Sequence, residues 1–387
     1  MNLELSEEQS AVRDLAADFT DREIVPHAAA WDRAESVDRT IIGKLGKIGF
    51  LGLTIPEEYG GSGGDHLAYC LVLEELGRGD SAVRGIVSVS LGLVAKSING
   101  YGTEQQKRHW LPRLTSGDAL GCFALTEPGT GSDAANLTTR AVRDGDHWLI
   151  SGAKTFITNG TWADVALVFA RTGGDDPALA GHKGITAFLV PTDLPGFTRT
   201  EIHGKLGLRG QATAELAFDG VRVPDEARLG EVGQGFRVAM SALAKGRMSV
   251  AAGCVGIARA CLEAAVRYAG EREQFGKPIA SHQLVQELLA GIAVDVEAAR
   301  LLTWKVADHI ERGLPFATES SVAKLHASEA AVRAANNALQ VFGGYGFIDE
   351  YPVGKYLRDA RVMTLYEGTS QIHQLLIGRA LTGVNAF

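Results

Sequence analysis

The sequence predicts a mainly α-helical protein with a β-domain inserted between two helical parts, and three observations carry that expectation. Apolar residues recur at helical spacing from Leu3 to about Leu120. Short apolar runs punctuated by glycine and proline fill the stretch from about Gly121 to Gly230, and helical periodicity returns at Phe236 and lasts to the end. The division expected is an amino-terminal helical domain over 1–120, a middle β-domain (barrel or sandwich) over 121–230, and a carboxyl-terminal helical domain over 231–387.

Each element has a local reason. Ser6 with Gln9 three residues later fits a capping box, and Val12, Leu15, Ala16 and Phe19 then share one helical face. Pro56 and the Gly60–Gly64 cluster mark a loop, after which Tyr69 to Leu76 and Val83 to Ile98 resume helical spacing. In the middle, the run from His147 to Ile150 leads to a turn, and Val165 to Phe169 and Ile185 to Val190 are short apolar runs between turn residues, the pattern of strands. Beyond Phe236, Val255, Ala258, Leu262 and Ala265 form one stripe. Leu288, Ile292, Asp295, Val296, Ala299 and Leu302 form another that is mostly apolar, as packed bundle helices require.

The chain has 387 residues, room for two or three domains at roughly 150 residues each. Hydrophobic residues make up 45% and charged residues 22%, an ordinary globular mix, and no apolar run of about 18 residues is expected to span a bilayer. Lys plus Arg number 38 against 46 for Asp plus Glu, a net charge of -8 that argues against nucleic acid as a partner. Cys70, Cys122, Cys254 and Cys261 are scattered without a CxxC pair, and the amino end has no signal-peptide pattern; a reducing, cytoplasmic setting with no metal site is expected.

Three patterns carry little. The stretch Gly129 to Ala134 matches GxGxxA, but Pro128 precedes it instead of a buried strand, and Asn136-Leu-Thr-Thr favours loop and strand over a helix that could hold a pyrophosphate. Gly60-Gly61-Ser62-Gly63-Gly64 fits GxSxG without the strand-to-helix setting that pattern needs. The glycosylation sequons at Asn136 and Asn159 lack a secretory signal.

The informative segment is Leu365-Tyr366-Glu367-Gly368-Thr369-Ser370, placed before the amphipathic run Ile372, Leu375, Leu376, so that Thr369 or Ser370 can cap a helix. A carboxylate at Glu367, under apolar cover beside Tyr366, would have its proton affinity raised by desolvation and could act as a base near neutral pH. On its own it also reads as an ordinary acid near a helix start, stabilised by the dipole.

Five separated motifs together resemble the acyl-CoA dehydrogenase family, short- or branched-chain or glutaryl-CoA dehydrogenase-like. They are Cys122-Phe-Ala-Leu-Thr-Glu-Pro-Gly-Thr-Gly-Ser-Asp133, Gly152-Ala-Lys-Thr-Phe-Ile-Thr-Asn-Gly160, Arg272-Glu-Gln-Phe-Gly-Lys-Pro-Ile279, Gln340-Val-Phe-Gly-Gly-Tyr-Gly346 and Tyr366-Glu-Gly-Thr369. The resemblance implies a helical domain, a middle β-barrel domain and a carboxyl-terminal four-helix bundle assembled as a homotetramer, a dimer of dimers. It also implies an FAD cofactor, and an electron-transfer flavoprotein as the partner that takes the electrons.

Residue by residue, the resemblance places Phe123, Leu125, Thr126 and Ser132 along the flavin ring and pyrophosphate. Phe156 falls on the flavin face, where many relatives carry Trp, and Thr158 near the reactive nitrogen. Arg272, Phe275, Gln283, Gln340, Gly343 and Gly344 match positions that reach the adenosine diphosphate half of an FAD bound mainly by a neighbouring subunit. Thr369 and Gln371 match further flavin contacts. Ser132, Arg247, Tyr366 and Gly368 match substrate-binding positions.

Glu367 matches the family's base, which takes the α-proton of an acyl thioester while the β-hydrogen leaves as hydride, giving a trans-2-enoyl thioester. Some members carry the base on an earlier helix instead, at the position of Gly246, which cannot do that work.

Arg84 matches the arginine with which glutaryl-CoA dehydrogenases hold a distal carboxylate, whereas Gly77 stands where those enzymes carry a glutamate that assists decarboxylation. Arg84 also reads as a structural partner of Asp80 at helical spacing. The tail from Ile372 to Phe387 is similar to the glutaryl group, and Gly246 to Ile257 is similar to members that act on carrier-protein thioesters, so acyl-CoA and acyl-carrier-protein donors both stay open. An oxidase is disfavoured by the chain's length, and a non-catalytic scaffold by the intact Glu367.

Overall fold

The capping box at Ser6 forms as the pattern predicts. The Ser6 hydroxyl accepts from Gln9 N at 3.1 Å while Ser6 N donates to the Gln9 side chain at 3.0 Å, opening α1 (Glu7–Glu23). In the computed structural model, which describes residues 4–174 and 179–385, there follow α2 (Ala28–Ala34), α3 (Thr40–Lys47), α4 (His66–Gly79), α5 (Ser81–Val89), α6 (Lys96–Tyr101) and α7 (Glu104–Ser116). Leu3 and Phe387, which end two stretches read above, lie outside the described residues.

A π-helical stretch, Ser90–Ala95, joins α5 to α6 without a break. This corrects one expectation. The resulting rod, Ser81–Tyr101, and the later helix α8 (Gly235–Glu271) are each long and apolar enough to cross a membrane, yet 94% and 72% of their most apolar windows are buried inside the protein. They are apolar nearly all round because neighbours cover them on most sides.

The middle part is a sheet of β1 (Gly121–Ala124), β2 (Arg140–Asp144), β3 (His147–Thr158), β4 (Val165–Arg171), β5 (Ile185–Pro191), β6 (Phe197–Glu201), β7 (Thr213–Pro224) and β8 (Arg228–Leu229). The order is β6-β7-β3-β2-β4-β5-β8, with β1 parallel to β4 at one side. His147 to Ile150, read as the approach to a turn, is the first part of β3. The β3–β7 register slips between Lys154 and Ile157, where Phe156 takes φ 58°; this irregularity turns Phe156 outward.

After α8 come a short hairpin of β9 (Glu273–Gln274) and β10 (Lys277–Pro278), then α9 (Gln283–Glu311), α10 (Ala317–Phe342), α11 (Val353–Met363) and α12 (Ser370–Thr382). Helices α4 and α8 cross closely enough that only glycine fits. A Cβ on Gly77 would meet Gly253 O at 2.7 Å, and one on Gly256 would meet Glu74 O at 2.1 Å.

Charges hold the helical parts to one another. Glu74 binds Arg259 at 2.9 Å and Arg300 at 2.8 Å, joining α4, α8 and α9. Leu208 N donates to Asp359 at 2.7 Å, and Lys355 links Asp359 (2.6 Å) to Asp80 (3.0 Å), fastening a loop of the sheet domain and α11 to the start of α5.

Candidate functional site

The turn between α11 and α12 carries Glu367. Thr369 is the cap, accepting from Ile372 N at 3.2 Å, and Ser370 uses its hydroxyl on Glu329 at 2.5 Å. Glu367 (φ 51°) and Gly368 (φ 99°) are successive left-handed residues. For a non-glycine residue that conformation costs on the order of 1–3 kcal/mol and persists only where surroundings hold it.

The surroundings do so here. Lys324 Nζ donates to Gly368 O at 2.7 Å, and Ser370 N to Thr364 O at 3.1 Å.

Glu367 is part-exposed as a whole, but its Oε2 is sealed from solvent and has no hydrogen-bond partner among the described residues. Burial pushes its pKa up to about 7, against the pull of Arg84, Lys324 and Arg247. The space is left by Gly246 on α8, where a Cβ would stand 2.2 Å from Oε2 and 2.9 Å from Leu93. His373, fully buried beneath the turn, is held neutral, its pKa lowered to about 3 by burial and by Lys324 and Arg247.

Arg84 lies 1% exposed on α5 and donates from Nη2 to the Tyr366 hydroxyl at 2.5 Å; Tyr366 in turn donates to the Met363 sulfur at 2.7 Å. The alternative pairing with Asp80 does not form, because the Asp80 carboxylate is taken by Lys355 and by Ala82 N at 2.6 Å. Arg84 Nε is left without a partner among the described residues, and a Cβ at Gly253 would come within 2.8 Å of it.

Tyr69 OH is also buried and has no hydrogen-bond partner among the described residues, and Ser88 and Ser249 share a hydrogen bond of 2.7 Å. A guanidinium with free donors, two phenols and two serines thus gather beside one buried carboxylate. Arg247 faces the same carboxylate and spends one donor on Ser321 at 3.3 Å.

The residues matched to the flavin ring meet at the sheet. Phe123 is in β1, with Leu125 and Thr126 just after it, and Thr126 O accepts from Thr155 N at 3.0 Å, which sets Thr126 beside Phe156. Phe156 is 69% exposed, and two residues on Thr158 donates to Gln211 at 3.2 Å. A Cβ on Gly85 would stand 2.0 Å from the Gln211 amide and 4.0 Å from Thr158, so this strand end abuts α5 one residue from Arg84. The loop that carries exposed Ser132 is anchored by buried Glu127, which binds Lys154 at 2.9 Å and Thr139 N at 2.8 Å.

The residues matched to the adenosine end gather elsewhere. Arg272, Gly343 and Gly344 line one surface groove with Tyr268 and Tyr345, and the Arg272 guanidinium lies 5.5 Å over the Tyr345 ring. Phe275 is 93% exposed at the hairpin, Gln283 opens α9, and Gln340 is exposed in the last turn of α10. Gln371 is exposed on α12. Along α10, Lys324 and Gly343 are separated by about 28 Å at 1.5 Å per residue, so the groove is remote from Glu367 within one chain.

These residues fit FAD. A projecting aromatic beside a threonine hydroxyl suits an isoalloxazine face, and a glycine-floored groove with an arginine suits a pyrophosphate. Sequence reasoning missed Lys324, His373, Tyr69 and Gln211. The signal for Lys324 was its place in the apolar stripe Ser320, Ala323, Ala327 and Ala331, where a cation is costly.

The comparisons match the chain in three consecutive pieces: acyl-CoA dehydrogenase N-terminal domain at residues 6–118, middle domain at 122–221 and C-terminal domain at 233–382. The chain is 43% identical over 376 residues to the short-chain specific mitochondrial acyl-CoA dehydrogenase of Rattus norvegicus, covering 97% of this chain and 90% of that one. It superposes on butyryl-CoA dehydrogenase from Megasphaera elsdenii with a TM-score of 0.95 and 40% identity over 98% of this chain and 100% of that one. Against glutaryl-CoA dehydrogenase from Mycobacterium smegmatis the TM-score is 0.93 at 41% identity, over 99% and 96%. The chain belongs to the acyl-CoA dehydrogenase family, and is an oxidoreductase that uses FAD.

Proposed function

We propose that this chain oxidises a short acyl thioester with a polar or carboxylate end to its trans-2-enoyl thioester, with Glu367 as the base. The observation that supports it above all is the Glu367 carboxylate, its Oε2 sealed from solvent and unpartnered among the described residues, its pKa pushed up to about 7, set against the space left by Gly246. A base with a pKa near the working pH combines a usable ionised fraction with a real affinity for the α-proton. FAD, when bound, supplies the acceptor for the β-hydride.

The protein's part is to place the thioester and take the proton. The backbone N–H of Glu367 has no acceptor among the described residues, which suits a donor to the thioester oxygen as negative charge builds there. The Arg84 Nε and the Tyr69 hydroxyl, both buried and unpartnered among the described residues, favour an acyl group that brings its own acceptor. A glutamate at position 77 would run into the α8 backbone at Gly253, so this reading includes oxidation without decarboxylation.

The acyl group can arrive on CoA or on a carrier protein, which share the phosphopantetheine thioester. Electrons pass to an electron-transfer flavoprotein in this reading. The assembly proposed is a homotetramer; the exposed apolar residues Leu284, Val294 and Leu301 on α9 support it, as does the distance between the Arg272 groove and Glu367. Anaerobic titration with butyryl-CoA, isobutyryl-CoA and glutaryl-CoA tests the substrate reading. Bleaching of the flavin by glutaryl-CoA in preference to the two monoacids is expected, and bleaching by the monoacids alone sinks it.

A further inference from the structure

We infer that Lys324 is the positioning residue of the Glu367 base, an ammonium in α10 that fixes the Gly368 carbonyl and with it the left-handed turn that aims the carboxylate. This rests on Glu367 being the base, as proposed above. Lys324 is fully buried, and among the described residues no carboxylate lies within 4.0 Å of its Nζ. An unpaired buried cation is costly. Around it α10 is built from small side chains, Ala323, Ala327, Ala330 and Ala331, so packing alone gives no reason for a charge there.

What the charge touches is the carbonyl next to the base. Its hydrogen bond to Gly368 O, at 2.7 Å, comes from beneath the turn, while Arg84 grips the preceding residue, Tyr366, from α5. The left-handed Glu367 is thus flanked by two grips, Arg84 of α5 on Tyr366 before it and Lys324 of α10 on Gly368 after it.

The ammonium also acts on the carboxylate through space. The groups facing Glu367 are Tyr69 from α4, Arg84 from α5, Arg247 from α8, Lys324 from α10, Tyr366 in the turn and neutral His373 from α12. Of the three cations, Arg84 bonds the Tyr366 hydroxyl and Arg247 the Ser321 hydroxyl, while among the described residues only Lys324 is hydrogen-bonded to the backbone next to the base. Removing its charge leaves burial less opposed and makes Glu367 harder to ionise.

The tie and the charge separate by substitution. Lys324→Met removes both, whereas Lys324→Gln removes the charge but keeps an amide donor toward Gly368 O. Both are compared with wild-type holoenzyme and with Glu367→Gln.

Two readouts are taken. The first is infrared titration of the Glu367 carboxyl band, isolated by subtracting the Glu367→Gln spectrum and needing no turnover. The second is the pH profile of flavin reduction by an acyl-CoA that the wild type oxidises.

The expected result is a Glu367 midpoint raised by about one pH unit or more in both variants, with about tenfold lower kcat/KM below that midpoint. Above the midpoint Lys324→Gln returns to near the wild-type kcat and Lys324→Met does not, while KM stays within about threefold in both. A midpoint and kcat unchanged in Lys324→Met overturn the inference, and so does failure of both variants to fold, which would make Lys324 purely structural. If Glu367→Gln is itself still reduced by substrate, the fault lies with the reading of Glu367 as base instead.

Discussion

A Cβ on Gly246 would stand 2.2 Å from Oε2 of Glu367, so two residues far apart in the sequence compete for one position. The family resemblance offers both as places for a base, and here the glycine leaves room for the glutamate. Gly246→Ala should displace the carboxylate by a fraction of an ångström to an ångström. A loss of up to about 100-fold in the rate of flavin reduction is expected, with flavin content unchanged. Gly246→Glu in a Glu367→Gly background should recover part of that rate, because the acid then approaches the same point from α8. Stopped-flow flavin bleaching checks both, and a Gly246→Ala enzyme as fast as wild type would show that the carboxylate is not confined as described.

If Glu367 is the base, as proposed, Glu367→Gln removes the proton acceptor while keeping shape, so the flavin should stay bound and no longer be reduced by substrate. The same variant has a stability signature of definite sign. The folded protein raises the Glu367 pKa from its ordinary value of 4.5 to about 7, so the fold binds this proton more tightly than the unfolded chain does. Ionisation therefore costs stability as pH rises from 4.5 through 7 and the cost is full above that.

Glu367→Gln should accordingly match wild type near pH 4.5 and be more stable at pH 8 by at most about 3 kcal/mol. Thermal melts at the two pH values measure it. For the wild type, kcat/KM should rise with pH through about 7 as the carboxylate ionises.

How much of this was legible in the sequence depends on whether a feature is local. The switch from period 3.6 to short runs and back marks the helical, sheet and helical parts because one chain segment suffices to show it. The caps at Ser6 and Thr369 were legible for the same reason.

The fate of Arg84 was not. At helical spacing Asp80 is an equally good partner, and what removes it is Lys355, distant in sequence and brought near by α11. Lys324 stands out in the sequence as a cation within a stripe of small residues, but its bond to the Gly368 carbonyl shows only once α10 is packed against the turn. Gly77 and Gly253 are unremarkable helical glycines until the helices cross. The rod Ser81–Tyr101 was legible as helix over Val83 to Ile98, but not as a stretch apolar enough to span a bilayer, because serines and Arg84 interrupt its apolar run.

The Arg272 groove makes a separate prediction about the cofactor. Arg272 is exposed, lies over the Tyr345 ring and lines the same groove as the paired glycines just after α10. Arg272→Ala removes a charge-assisted donor that pyrophosphate would use, worth about 1.5–3 kcal/mol. FAD should then be retained at least about tenfold more weakly. Release of flavin fluorescence on dilution measures this without any turnover, and retention equal to wild type would show that Arg272 does not reach the cofactor.

Arg84 carries the substrate reading. Its buried guanidinium has no carboxylate within 4.0 Å among the described residues and leaves Nε unpartnered. A dicarboxylic acyl group would complete it, and a plain aliphatic one would not. Truncating one member of such a buried charge pair costs about 2–5 kcal/mol, at least about 30-fold in kcat/KM. Arg84→Met should therefore lose that much with glutaryl-CoA and change little with butyryl-CoA. Because Gly77 is packed against Gly253 O, with no room for an acid, the product from glutaryl-CoA should keep its carboxylate. Mass analysis should find glutaconyl-CoA; crotonyl-CoA as the main product would mean that decarboxylation proceeds without the acid at position 77, and an equal loss on both substrates in Arg84→Met would mean that Arg84 serves only to hold Tyr366.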